Sequence, residues 1–430
     1  MTRKRTATSA FGVTKREGHD ASGFYARFRP PLLDLSTDVA PPKPVDDPFQ
    51  CGDARDMSAV DDNSVALVVT SPPYFAGKAY EADLSAEGVP GSYMEYLQLL
   101  RDVFAECVRT LEPGGRMAIN VANLGRRPFR SLSSDVTTIL QDDLGLLLRG
   151  EIVWRKGESA SGNCAWGSYR SPSNPVLRDV SERIIIAGKG RFDRALKPKE
   201  RAKLGLPHQP SVGPDDFTES TLDVWTIAPE SATRIGHPAP FPVSLPARLI
   251  DLYTYVDDLV LDPFMGSGTT LVAAAEADRR FIGYDTDAQY VSLARERVGS
   301  TLSSELVSRE RHLSAPKLAI EWLNANGYTV VDEDVSVRGS GLRAHAIVTD
   351  ASGQRWATFV AGSNSSWTPG LSSNTTALKT AGELMALGSK LDAGTKLMVL
   401  TTALPPKRSP GAIALNALVP SVVQQITEIS

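Results

Sequence analysis

Two short stretches, far apart in the chain, carry residue types that could do chemistry. The first is Thr70-Ser71-Pro72-Pro73-Tyr74, directly after the apolar run SVALVV at 64–69. Such a run predicts a strand buried on both faces of a parallel sheet. The carboxyl end of a parallel strand opens into the crevice where ligands bind. Two successive prolines hold the loop extended, because each fixes its own φ and restricts its predecessor. Neither proline has an N–H, so the turn offers carbonyl oxygens without competing donors. With the Ser71 hydroxyl, those oxygens suit an amino group, and Tyr74 adds a flat face for stacking a planar ring. An ordinary turn has the same composition, so this stretch alone leaves the chemistry open.

The second stretch is Asp262-Pro263-Phe264-Met265-Gly266-Ser267-Gly268-Thr269-Thr270, between the apolar DLVLD and the helical TTLVAAAEA. Gly266 and Gly268 let the backbone approach a ligand closely, and the start of the helix supplies free N–H groups. Asp285 ends the next apolar segment after that helix, RFIGYD. An acid at the end of a second strand is placed to accept hydrogen bonds from ribose hydroxyls. NAD, flavin and S-adenosylmethionine would all fit such an arrangement. The run GSGTT lacks the third glycine of GxGxxG, which argues against a dinucleotide.

The elements that must hold these loops alternate. SYMEYLQLLRDVFAECVRTLEPGG places Tyr96, Leu99, Leu100, Val103, Phe104 and Leu111 at helical spacing and stops at Pro113-Gly114-Gly115. RMAINVA, EIVWRK and SERIIIAG read as strands, LPARLIDLYTYV as a helix, DLVLD as a strand, TTLVAAAEA as a helix and RFIGYD as a strand. The alternation predicts an α/β domain with a mainly parallel sheet.

The 430 residues suffice for two or three domains, and the composition is that of an average globular protein. Cys51, Cys107 and Cys164 form no CxxC pair and have no histidine cluster near them, so neither a disulfide framework nor a metal site is expected. With no long apolar run and no apolar core at the amino terminus, the chain reads as cytoplasmic, with no membrane contact. The net charge of −4 hides a local excess of twelve Lys/Arg over six Asp/Glu between 150 and 210. Such a stretch is usually a solvated face, but it also suits contact with a polyanion.

Taken together, DPFMGSGTT, GYD and an earlier TSPPY resemble the amino-methyltransferases that act on DNA, over roughly residues 49 to 299. The resemblance implies a Rossmann-like, S-adenosylmethionine-dependent methyltransferase sheet. It places Asp262, Pro263, Phe264, Gly266, Ser267, Gly268, Thr269 and Thr270 around the methionine part of S-adenosylmethionine and Asp285 on its ribose. Asp53, in the Gly52-Asp53 step, resembles the adenine-side contact, and His237, in HPAPFP, resembles the remaining cofactor segment. Thr70 is assigned to the cofactor side, and Ser71, Pro72, Pro73 and Tyr74 to catalysis on a flipped base. Trp154 matches a recurrent position near the target pocket, although a core tryptophan is an equal reading.

TSPPY lies far ahead of the glycine loop in the chain, a permuted order that resembles the beta group of DNA amino-methyltransferases. In that group target recognition lies between the two halves, where the basic stretch falls here. Trp166, Tyr169, Arg170, Arg178 and Arg183 are therefore the DNA-binding candidates. The expected partner is double-stranded DNA, with a cognate restriction endonuclease as a further candidate. None of the cysteines follows proline (they follow Gln, Glu and Asn), which argues against thiolate attack at cytosine C5. Ser71 at the head of the motif resembles the cytosine-N4 enzymes, and Asp or Asn there is more usual in adenine-N6 enzymes. The expectation is thus N4-methylation of cytosine, with N6-methylation of adenine as the alternative. An RNA methyltransferase and an inert DNA-binding scaffold fit the motif order less well.

The expected layout is a mobile basic and Pro-rich arm over 1–45 and a methyltransferase domain over 46–300. That domain divides into a catalytic half (46–156), a target-recognition region (157–222) and a cofactor half (223–300). A smaller α/β domain follows over 313–430, with the order helix–strand–strand–strand–helix–strand across 314–402. It loosely resembles the restriction-endonuclease-like fold in degenerate form. A nuclease of that type holds Mg²⁺ with an acid in one strand and acid-x-Lys in the next. Here His345 takes the first place, QRWATFVAG supplies neither group, and Asp332, Glu333 and Asp334 fall one strand too early. The tail is expected to be non-cleaving, a DNA clamp or an interaction module.

Overall fold

A computed structural model describes residues 31–43, 45–73, 92–123, 129–157, 167–230, 241–308, 315–362 and 370–429. Among the described residues its larger sheet has eight strands: β1 (Phe49–Cys51), β2 (Val65–Thr70), β3 (Leu111–Val121), β4 (Leu147–Arg155), β5 (Ser181–Gly188), β6 (Val224–Thr226), β7 (Leu259–Asp262) and β8 (Arg280–Asp285). Their order is β1-β8-β7-β2-β3-β5-β4-β6. All neighbours run parallel except that β5 opposes both β3 and β4. The mainly parallel α/β sheet expected from the alternation is therefore present.

Helices cover both faces of this sheet. On one face α1 (Tyr93–Thr110) buries Tyr96, Leu100, Val103, Phe104 and Cys107 against Val68, Met117 and Ile119. The Ser92 side chain caps its start by accepting the Glu95 N–H at 3.2 Å. On the other face α2 (Ser244–Tyr253) and α3 (Thr269–Glu276) pack on Leu67, Val69, Ala118 and Val260. Trp154 lies in this second core, 2% exposed, and its indole N–H donates to the Ile227 carbonyl at 2.9 Å. Of the two readings of Trp154, the structure bears out the core residue.

Two local expectations need correction. The helix α1 ends at Thr110, and Pro113-Gly114-Gly115 lies inside β3. Leu111 already has extended backbone, and the pairing with β2 jumps from Val65–Leu111 to Leu67–Arg116. The Pro-Gly-Gly residues thus form an irregularity within the strand. Gly114 has φ +82°, and a Cβ there would lie 2.0 Å from the Asp193 carbonyl oxygen. The second correction concerns the amino-terminal arm, of which 1–30 lie outside the described residues. Residues 31–43 run along the domain, where Leu32, Asp34 and Ala40 donate backbone N–H groups to Gly145, Gly190 and Asn63 at 2.8–3.0 Å.

The basic stretch between 150 and 210 is partly internal. Arg201 is buried and Arg194 half-buried, both paired with Glu112 and Asp258, and the Tyr255 ring lies 5.3 Å from each guanidinium. Burial alone would raise the Glu112 carboxyl, yet the two arginines hold it below its ordinary value. Lys189 donates to Asn63 and to the Arg109 and Leu111 carbonyls. These cations pin the segment after β5 beneath the amino ends of β3 and β7, so only part of the local charge excess is available to a partner.

The smaller sheet has the order β13-β12-β11-β10-β9. It comprises β9 (Thr329–Val337), β10 (Leu342–Thr349), β11 (Arg355–Ala361), β12 (Lys396–Thr401) and β13 (Gln425–Glu428). The first three are antiparallel and the last three parallel. The helix before β9 spans Ala315–Ala325, and the next spans Asn374–Gly388. His345 is half-buried, its Nδ1 accepts the Val360 N–H at 3.1 Å, and burial lowers its pKa. Asp350 closes a turn by accepting from Ser352, Gln354 and the Trp356 indole. Among the described residues, no group of three or more His, Cys, Asp or Glu could hold a metal ion.

Candidate active site

The two stretches singled out by residue type meet at one end of the sheet. Strands β2 and β7 are parallel neighbours, so the TSPP turn and the glycine loop leave from adjacent carboxyl ends. A buried hydrogen bond splices them: Thr70 Oγ1 donates to Asp262 Oδ1 at 2.6 Å. The same Asp262 oxygen accepts the Phe264 N–H at 3.1 Å, and the Thr270 hydroxyl lies 3.3 Å from the Val69 carbonyl. Thr70 and Thr270 are fully buried and Asp262 is 1% exposed. These three residues, expected among the cofactor contacts, sit beneath the loops and fix one motif to the other. Pro263 is buried beside them, and Phe264 is half-buried against the α1-side core.

Burial pushes the Asp262 carboxyl up to about 6 although Thr70, Thr270 and the Phe264 N–H act against the shift. The folded form therefore holds a proton more tightly than the unfolded chain does. Ionised Asp262 costs stability as pH rises through about 6, and that cost disappears below the unfolded value near 3.8. Asp262→Asn is expected to gain about 1–2 kcal/mol on wild type between pH 5 and pH 7.5. Urea midpoints of both proteins at the two pH values check this, and parallel pH profiles would contradict it.

The glycine loop is shaped by its neighbours. Gly266 and Gly268 both have positive φ, +48° and +75°. A Cβ on Gly268 would lie 2.7 Å from the Ala294 Cβ, on helix α4 (Ala288–Ser308). One turn further along α4, Arg297 Nη1 donates to the Ser267 carbonyl at 2.5 Å and to the Ser267 hydroxyl at 2.8 Å. The same nitrogen reaches Thr269 Oγ1 at 3.3 Å. Sequence reasoning missed Arg297; its i, i+3 spacing from a small residue in the helix after GYD was the available signal. Helix α3 starts at Thr269, and its N-cap residue Gly268 provides no side-chain cap for the first N–H groups.

Asp285 closes the site from β8. Its Oδ2 accepts the Gly266 N–H and its Oδ1 the Asp287 N–H, both at 2.9 Å. Burial raises its pKa despite these bonds. A carboxylate has about four acceptor positions, so capacity remains on Asp285 for a hydroxyl donor. Strand β1 pairs with β8 so that Cys51 faces Asp285, and the Gly52 N–H donates to the Asp285 carbonyl at 2.9 Å. That pairing sets Asp53 beside Asp285, where it is exposed and bound to Arg55, which lowers its pKa. Ser71 is half-buried, Pro72 buried and Pro73 exposed. Tyr74 and His237 lie outside the described residues.

Of the DNA-binding candidates, Tyr169 is 68% exposed with the Arg170 guanidinium 5.6 Å from its ring. Arg178 is half-buried in the same loop. Arg183 sits in β5 and pairs with Glu151 at 3.2 Å, so it belongs to the sheet surface. Trp166 lies outside the described residues.

Residues 65–296, more than half of the chain, match the N6/N4 methyltransferase family model described as DNA methylase. The chain is 32% identical over 280 residues to the Type II methyltransferase M.MthZI of Methanothermobacter thermautotrophicus, covering 60% of this chain and 78% of that one. It is 29% identical over 280 residues to the Type II methyltransferase M.MjaI of Methanocaldococcus jannaschii, covering 58% and 89%. A solved structure from Thermus thermophilus, described as a candidate DNA modification methylase complexed with S-adenosyl-L-methionine, is similar at 31% identity. It matches 58% of this chain and 92% of its own, with a TM-score of 0.44. The chain belongs to the N6/N4 family of DNA methyltransferases.

Proposed function

We propose that the protein transfers the methyl group of S-adenosylmethionine to N4 of a cytosine flipped out of duplex DNA at a short recognition site. The observation that carries this reading is the Thr70–Asp262 bond of 2.6 Å, which fixes the amine-accepting turn beside the glycine loop. The residues present fit the cofactor. Asp285 offers acceptors for ribose hydroxyls, and the uncapped start of α3 offers N–H donors to an anionic end. When bound, S-adenosylmethionine supplies an electrophilic methyl group on a sulfonium.

The chain's part in the reaction is positioning and electrostatic. Ser71 and the Pro72 carbonyl accept the hydrogens of the exocyclic amine and so direct its lone pair at the cofactor side. Tyr74 stacks on the base, and Tyr169, Arg170 and Arg178 contact the DNA strand. Ser71 favours cytosine, because the family resemblance associates serine at this place with the N4 enzymes. A role in restriction–modification, beside a cognate endonuclease, accords with the Type II relatives.

Incubation with isotopically labelled S-adenosylmethionine and unmethylated DNA, followed by digestion to nucleosides, tests the proposal. Label in N4-methyldeoxycytidine is expected. Label in N6-methyldeoxyadenosine would overturn the choice of base, and absence of labelled nucleoside would overturn the reading as a whole.

A further inference from the structure

Helix α4 meets the glycine loop through one face. Ala294 packs against Gly268, which has room for no side chain, and this close approach brings Arg297 one turn later to the apex of the loop. A single guanidinium nitrogen there holds the Ser267 carbonyl, the Ser267 hydroxyl and Thr269 Oγ1. The three contacts flank Gly268, whose positive φ favours glycine. The turn that starts α3 is thus gripped by α4, and the first N–H groups of α3 carry no side-chain cap from Gly268.

We infer that Arg297 is a positioning residue for the anionic, amino-acid end of the cofactor, an inference that rests on the proposed cofactor reading. It sets the Ser267–Thr269 turn and adds a full positive charge beside the positive end of α3. The adenosine end is held elsewhere, at Asp285 and the β1–β8 pairing, whereas these Arg297 bonds all fall on Ser267 and Thr269. Loss of Arg297 should therefore weaken ligands in proportion to their amino-acid part.

Calorimetric titration of wild type, Arg297→Gln and Arg297→Lys with S-adenosylhomocysteine and with 5′-methylthioadenosine tests this. The second probe keeps the adenosine and lacks the amino-acid carboxylate. Arg297→Gln is expected to weaken S-adenosylhomocysteine about tenfold while 5′-methylthioadenosine changes less than about twofold, with lysine intermediate. Equal weakening of both probes would reduce Arg297 to a structural residue and overturn the inference, as would unchanged binding of both. If the glutamine variant fails to fold, the lysine variant carries the comparison, with the same selective loss expected. Wild type that binds neither probe would overturn the cofactor reading itself, and the inference with it.

Discussion

Asp285→Ala is expected to weaken S-adenosylmethionine binding about a hundredfold, a loss of roughly 2–3 kcal/mol. Two effects combine. The substitution removes the acceptors for the ribose, and it leaves the Gly266 and Asp287 N–H groups without the carboxylate they both bond at 2.9 Å. The second effect loosens the glycine loop itself, since Gly266 lies at its centre. Asp285→Asn keeps one acceptor oxygen and should fall between wild type and alanine. Calorimetric affinities for the three proteins check the order, and an alanine variant with wild-type affinity would remove Asp285 from the cofactor site.

Gly268→Ala carries the second large effect, and it acts on folding as well as on binding. The residue has φ +75°, which costs an alanine about 1–2 kcal/mol. The added Cβ would also meet the Ala294 Cβ at 2.7 Å and its Cα at 3.0 Å. Those are backbone-anchored atoms of a helix packed on the loop, so no side-chain rotation relieves the contact. Overpacking of this kind costs about 1–3 kcal/mol more. The expected sum is a loss of about 2–5 kcal/mol, divided between stability and cofactor affinity. Denaturant midpoints and affinities measured on the same preparation report the division. A variant unchanged in both would mean that α4 does not rest on this glycine.

What could be read in the sequence followed the range of the interactions involved. Strands β5 and β8 span the segments SERIIIAG and RFIGYD that read as strands, because each is centred on continuous apolar residues that the sheet buries. The TSPPY and DPFMGSGTT stretches were legible because their backbone requirements are local, as prolines, glycines and a helix start. The Pro-Gly-Gly after α1 was misread because a turn signal says where a chain bends, and the bend here is inside a strand facing Asp193.

The contacts that join the motifs were not legible. Thr70 and Asp262 are 192 positions apart, and only the adjacency of β2 and β7 brings them together. Arg194 and Arg201 counted as available cations until the fold paired them with Glu112 and Asp258. Arg297 resembled any helical surface arginine, since its partner loop belongs to an earlier element and its role depends on how closely α4 approaches Gly268.

The proposed methyl-transfer site consists of a turn and a loop distant in the chain, joined by the Thr70–Asp262 bond. The most direct test is to map modified bases in a methylation-free bacterial host expressing wild type, Ser71→Ala or Asp285→Ala. N4-methylcytosine at one short motif is expected with wild type, and its loss with either substitution. Modification that persists undiminished in either variant would contradict the claim that these two residues serve a single site.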